Sequence, residues 1–194
     1  MSSKQIIIAL CGKKRCGKDT VANYICDKYS EYKNLKISQQ LKDVIKIMFD
    51  FNDDQIETDL KDIVDPNWNV TPRKTMQFIG TELMQYEIQK ILPDMGRLFW
   101  IKSFINKHII NKNNKIIISD LRFYHEYEEL KKYNTIFVKI EKNGNNLEED
   151  THSSEMDFLK IPPDYIINNR GSLEDLKINI ENFLLEMNDT LFGI

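Results

Sequence analysis

The residues with the clearest chemical use are Gly12-Lys13-Lys14-Arg15-Cys16-Gly17-Lys18-Asp19-Thr20. Glycines at both ends of a short polar loop let the backbone curl until several N–H groups turn toward one anion. A helix starting near Lys18 adds its unpaired N–H groups and the positive end of its dipole. Lys18 supplies a mobile point charge for the outer oxygens of a phosphate chain. Gln5-Ile6-Ile7-Ile8-Ala9-Leu10-Cys11 ahead of the loop is a buried-strand run, and Val21 to Cys26 after it carries apolar residues at helical spacing. Strand, glycine-bounded loop and helix start together give the G-x-x-x-x-G-K pattern its phosphate-binding meaning. Asp19 stands where a magnesium-ligating hydroxyl is common. Either Thr20 takes that role, or the metal is held mainly by nucleotide oxygens and water.

Two further groups of residues suit the same chemistry. Lys115-Ile116-Ile117-Ile118-Ser119-Asp120 reads as a second buried strand that ends on a carboxylate, followed by Leu121 and Arg122. An acid in that position can face a metal–phosphate complex. Arg73, Gln77, Gly80 and Thr81 fall on one face of a predicted helix, where a guanidinium, an amide and a hydroxyl could meet a phosphate and a base edge. A solvated helix face is the plainer reading of that stripe. Lys42 lies in the first turn of another predicted helix, either as a solvated cation or as a partner for an anion there. His108, His125 and His152 are expected to be surface or supporting groups, because an acceptor phosphate is already ionised near neutral pH.

These residues need a frame, and the alternation of apolar runs supplies one. After the first strand and helix, residues 35–38 could form a second strand ending at Ser38, and residues 40–49 carry a helical stripe. Residues 50–71 read as an acidic surface excursion with a turn at Asp65-Pro66-Asn67. Thr71 and Pro72 open a helix that runs past Ile88, and another helix spans about 96–110. Later strands are expected at 115–120, 135–140 and 164–168. Helices follow at 124–132 and from a Ser172/Asp175 capping box to about Met187. Strands alternating with helices imply right-handed crossovers and ligands at the C-terminal strand ends. The predicted fold is α/β: a three-layer P-loop fold with a mainly parallel central sheet and helices on both faces. It is predicted as a single domain over 1–194, with core sheet regions at 5–38 and 115–187, a helical acceptor-binding region at about 39–112 and a lid-like segment at about 141–158.

Composition narrows the classes further. The chain has 194 residues, a net charge of −3 and only seven glycines. A weak acidic balance argues against a nucleic-acid polymer as partner. No long apolar run and no export-type N-terminus suggest a membrane or secreted role, so an intracellular, reducing setting is expected. Cys11 and Cys26 read as small core residues. Cys16, beside Lys14, Arg15 and Lys18, is expected to be a modifiable thiol.

With these motifs in place, the chain resembles the deoxynucleoside monophosphate kinases of tailed phages, within the P-loop nucleoside monophosphate kinase group. The resemblance rests on residues 12–21, Leu41-Lys42-Asp43, shared letters across 73–83, and Trp100-Ile101-Lys102. It continues through Asp120-Leu121-Arg122 with His125-Glu126, Thr151 to Glu155, and Asn169 to Glu174. It implies ATP and magnesium as co-substrate and cofactor and a deoxynucleoside monophosphate as acceptor; a homodimer is compatible with it. By the same resemblance Gly12, Lys14, Arg15, Gly17, Lys18, Asp19 and Thr20 would hold the donor phosphates, and Asn169 and Gly171 would border its adenine. Lys42, Arg73, Gln77, Gly80, Thr81, Trp100, Asp120, Arg122 and Glu126 would serve the acceptor. Lys18, Arg73, Asp120 and Arg122 would act in transfer, with Thr20 and Asp120 toward the metal. Lys142 stands where the phage enzymes carry an arginine, which puts its lid role in question. Phosphomevalonate kinases are similar at the GKD loop and the H-x-S-E segment, and a nucleotide-binding regulatory protein is the rival from another class.

Overall fold

The computed structural model describes residues 5–142 and 157–192, with side chains as far as 187. Most of the expected lid segment, His152 included, lies outside the described residues. The chain divides into two compact units, Met1–Lys36 with Asn111–Ile194, and Ile37–Ile110.

The first unit holds a five-stranded parallel sheet ordered β2-β3-β1-β4-β5. The strands are β1 (Ile6–Cys11), β2 (Tyr32–Leu35), β3 (Lys115–Ile118), β4 (Thr135–Glu141) and β5 (Tyr165–Asn168). Every residue of β1 is buried, as an uninterrupted apolar run at the middle of a sheet covered on both faces should be. Alternate residues Ile6, Ile8 and Leu10 join a core with α1 (Lys18–Lys28) and the last helix, which we label α7 (Leu173–Phe192). On the opposite face Phe137 packs its ring edge-on against Tyr127 of α6 (Tyr124–Leu130). The order places β1 between β3 and β4, so the chain leaves it at the topological switch point where such sheets bind ligands.

One strand is displaced from its expected position. β2 covers 32–35 rather than 35–38, because Tyr32 pairs with Lys115 and is itself buried, and Leu35 meets Ile118 at the far end. The expected capping box at α7 is present: Asp175 N–H donates to Ser172 Oγ at 3.2 Å, and Ser172 N–H donates to Asp175 Oδ2 at 2.8 Å.

The second unit is helical. It contains α2 (Gln39–Phe49), α3 (Asp53–Glu57), a 3-10 turn (Asp59–Asp62), α4 (Pro72–Gln77) and α5 (Phe99–His108). Its core gathers Ile45, Phe51, Ile56 and Ile79, with Leu41, Phe49, Met76 and Met84 packed around them. Thr71 caps α4 by accepting the Lys74 N–H at 3.2 Å, with Pro72 at the first turn as expected. Beyond Gln77 the helix changes winding. Phe78–Tyr86 is a π-helix and Glu87–Lys90 a 3-10 turn, where one continuous α-helix was expected. The i→i+5 spacing of a π-helix moves Gly80 and Thr81 out of the phase they would share with Arg73 and Gln77 in an α-helix.

Candidate functional site

At the C-terminal end of β1 the chain turns on Gly12 (φ 141°), passes Arg15 in the left-handed region (φ 61°) and enters α1 from Gly17 (φ 105°). Both glycines are required by space as well as by angle. A Cβ on Gly12 would stand 2.6 Å from the Ile140 carbonyl oxygen, and one on Gly17 would stand 2.6 Å from Asn169 Nδ2. Among the described residues no side chain caps the N-terminus of α1, which leaves its first N–H groups for an anion. Lys18 folds back over the loop, its Nζ donating to the carbonyls of Gly12 at 2.7 Å and Lys13 at 2.8 Å. The loop is therefore a closed ring of backbone with a cation held at its rim. Lys14 and Arg15 are exposed on that rim.

Cys16 is turned inward with 1% of its surface exposed, its Sγ 3.7 Å from Lys18 Nζ. The expectation of a modifiable thiol is thus corrected by burial. Burial pushes the Cys11 thiol up to about 11, so it is an inert core group.

Asp19 is engaged by side chains of the same unit. Its carboxylate pairs with Lys36 Nζ at 2.8 Å and accepts from Ser119 Oγ at 3.3 Å. Burial opposes its ionisation, but the bond and charge of Lys36, the Ser119 hydroxyl and the charge of Lys18 outweigh that and hold it below the usual carboxylate range. Lys36 and Ser119 were not foreseen. The available signal was Ser119 itself, a hydroxyl that interrupts an apolar strand end next to Asp120; the structure buries it to 2% exposure.

Asp120 and Arg122 follow β3, with Leu121 between them fully buried. Glu126 lies beneath this turn rather than on its surface. Its Oε2 accepts the N–H groups of Arg122 at 3.0 Å and Phe123 at 3.1 Å, and burial, with the Asp120 charge adding, pushes its carboxyl up to about 7. Below about pH 4.5, its ordinary value, the group is protonated in both the folded and unfolded chain. As pH rises through 7 the folded chain must ionise a buried acid, so stability falls across that window. Glu126→Gln should therefore melt above the parent at pH 8 in metal-free buffer, with the gap closing toward pH 5. A gap that stays constant with pH would remove the effect.

Beside the loop, Lys13 and Cys16 share a cavity of about 190 Å³ with Ile140, Phe158, Lys142 and Arg170. Glu141, at its edge, is held below the usual carboxylate range by Lys139 and Arg170. Asn169, directly after β5, donates from Nδ2 to the Cys16 carbonyl at 2.9 Å, and its backbone N–H donates to the Glu141 carbonyl at 2.6 Å.

The profile of the family described as deoxynucleotide monophosphate kinase matches residues 6–64 and 46–180. The chain belongs to that family. It is 29% identical to a putative deoxynucleotide monophosphate kinase of Acanthamoeba polyphaga mimivirus over 181 residues, covering 88% of this chain and 91% of the relative. It is 28% identical to the deoxynucleotide monophosphate kinase of Enterobacteria phage T4 over 156 residues, covering 74% of this chain but only 61% of the phage protein. Among solved structures it resembles dephospho-CoA kinase from Campylobacter jejuni (TM-score 0.54, 16% identity, 96% of this chain and 98% of that one). It also resembles a gluconokinase from Sinorhizobium meliloti (TM-score 0.51, 9% identity, 99% and 97%). At such identities these two support the fold.

In this kinase family member the second unit carries the remaining expected acceptor residues. Arg73 presents its guanidinium to Asp62: Nε donates to Oδ1 and Nη2 to Oδ2, the latter at 2.9 Å. Lys42 pairs with Glu57 at 2.6 Å. Gln77 is exposed and Thr81 half-buried. Gly80 and Trp100 are joined to each other, with the indole Nε1 donating to the Gly80 carbonyl at 2.9 Å and the ring 8% exposed. A Cβ on Gly80 would stand 2.6 Å from Leu41 Cδ2, so the missing side chain makes room for α2.

The described residues contain no cluster of three or more His, Cys, Asp or Glu placed to hold a metal. Among the described residues no helix is long and apolar enough to cross a membrane.

Proposed function

We propose that this chain transfers the terminal phosphoryl group of ATP to deoxynucleoside 5′-monophosphates, giving the diphosphates needed for DNA synthesis. The observation that carries the reading is the glycine-bounded loop with Lys18 at the head of α1, in a chain matched by the family profile from residue 6 to residue 180. Gly12, Lys14, Arg15, Gly17, Lys18, Asp19 and Thr20 hold the donor phosphates, with the loop N–H groups and Lys18 spreading their charge. Asn169 and Gly171 border the donor base. Magnesium, when bound, neutralises the donor phosphates, and Thr20 and Asp120 are the residues that would hold it.

For the acceptor the proposal assigns Asp120 and Arg122 in the first unit, with Glu126 serving from beneath by fixing the Arg122 and Phe123 backbone, and Lys42, Arg73, Gln77, Gly80, Thr81 and Trp100 in the second. By the family resemblance Arg122 in the first unit and, separately, Arg73 in the second are each proposed as phosphate-gripping arginines, because phosphoryl transfer is mainly positioning and charge stabilisation. Asp62 holds the planar Arg73 fork in one orientation, and an incoming phosphate takes over the same bidentate geometry. Gly80 and Trp100 serve by fixing the backbone of the segment that carries Gln77 and Thr81.

A coupled assay of ADP release over a panel of deoxynucleoside monophosphates, ribonucleoside monophosphates and phosphomevalonate tests the assignment. Turnover is expected with deoxynucleotides. Turnover with phosphomevalonate alone, or ATP binding without any transfer, would overturn it. In the same assay Arg73→Ala should raise the acceptor KM about ten- to a hundredfold while the KM for ATP stays put. Equal effects on both would remove Arg73 from the acceptor site.

A further inference from the structure

A phosphate cradle works only if its N–H groups stay turned toward the ligand, and within a trans peptide the N–H points opposite to the C=O. Fixing a loop carbonyl from behind therefore fixes the next N–H in front. Lys18 performs part of this task, bonding the Gly12 and Lys13 carbonyls, but a phosphate chain will draw its ammonium away. The Cys16 carbonyl has a different partner. Asn169 Nδ2 donates to it at 2.9 Å from a position 153 residues further along the chain. The Asn169 backbone N–H is anchored on the Glu141 carbonyl at 2.6 Å, so the amide reaches the loop from the fixed ends of β4 and β5. Gly17 admits it, since any Cβ there would stand 2.6 Å from Nδ2.

We propose that Asn169 is a positioning residue of the phosphate loop: its side-chain amide pins the Cys16 carbonyl and thereby holds the Gly17 N–H turned to the donor phosphates. The inference rests on the reading of this loop as a phosphate cradle and deepens the assignment of Asn169, which besides bordering the donor base acts on the phosphates through the loop. It also explains why Gly17 must be glycine on the side that faces Asn169.

The test compares ATP with inorganic tripolyphosphate, which has the phosphates and no base. Titration calorimetry on the parent, Asn169→Ala and Asn169→Asp gives the dissociation constants. Melting curves check the fold, which both variants should keep because the backbone bond to Glu141 remains. Both ligands should bind about tenfold more weakly to Asn169→Ala, about the worth of one lost neutral hydrogen bond. Asn169→Asp should lose more, since its carboxylate cannot donate to the Cys16 carbonyl and repels the phosphates. The acceptor KM should not move. Weakened ATP with unchanged tripolyphosphate would overturn the proposal in favour of base contact, and unchanged affinity for both would overturn it outright. A parent that binds tripolyphosphate in an Asn169-dependent way yet never transfers phosphate would sink the kinase reading and leave this one standing.

Discussion

Lys18→Ala should lower turnover by about a hundred- to a thousandfold, the range for removing one preorganised donor from a site where charge develops in the transition state. The fold should be unaffected, because the Nζ bonds to Gly12 and Lys13 close a loop whose course is also set by two glycines and by Asn169. Steady-state rates at saturating ATP, with a melting curve alongside, separate the two quantities. Lysine replaced by arginine is not a mild change here, since a planar fork cannot lie across two neighbouring carbonyls as a compact ammonium does. Near-parental turnover in Lys18→Ala would mean that the loop holds no reacting phosphate.

Gly12→Ala should be the more damaging change to the protein as a whole. Its φ of 141° lies where L side chains rarely go, and its Cβ would press to 2.6 Å of the Ile140 carbonyl and 2.9 Å of Cys16 Sγ. The carbonyl belongs to β4 and has no freedom to retreat, so the loop must move instead. The expected cost is about 2–4 kcal/mol of stability together with loss of measurable ATP binding. Gly96→Ala is the control, because Gly96 also has positive φ (55°) but nothing within 4 Å of the added carbon. It should cost about 1 kcal/mol and leave binding intact. Equal stability losses at the two positions would show that the contact with Ile140 does not matter. Denaturant unfolding and ATP titration on both variants decide it.

Where the sequence could be read, the determinants were local. The strand at Ile6–Cys11, the loop glycines and the helix after Lys18 follow from neighbours a few residues apart, and so do Thr71 with Pro72 and the Ser172/Asp175 box. What stayed hidden depends on distant partners. The segment 32–38 alternates well enough to be a strand in two places, and only Lys115 and Ile118 choose between them. Glu126 looks like any charged residue early in a helix until Arg122 and Phe123 bury it under their own backbone. Asn169 belongs to a turn in sequence and to the phosphate loop in space. The π-winding at 78–86 leaves no mark on an apolar pattern that a plain helix would share. The candidate site was thus legible as a set of residue types, while the contacts that tune them were not.

The strand order carries a consequence for how the chain is made. β1 comes first from the ribosome, yet its partners are β3 and β4, with Ile6 opposite Lys115 and Ile7 opposite Thr135. At roughly 5–20 residues per second, the most apolar strand waits on the order of 7–30 s for residues 115–141 to be synthesised. Until then Ile6 to Leu10 have no neighbours to pair with, and the loop that follows has no β4 behind it. Nascent chains should therefore gain nucleotide affinity only after residues 135–141 have been made and paired with β1.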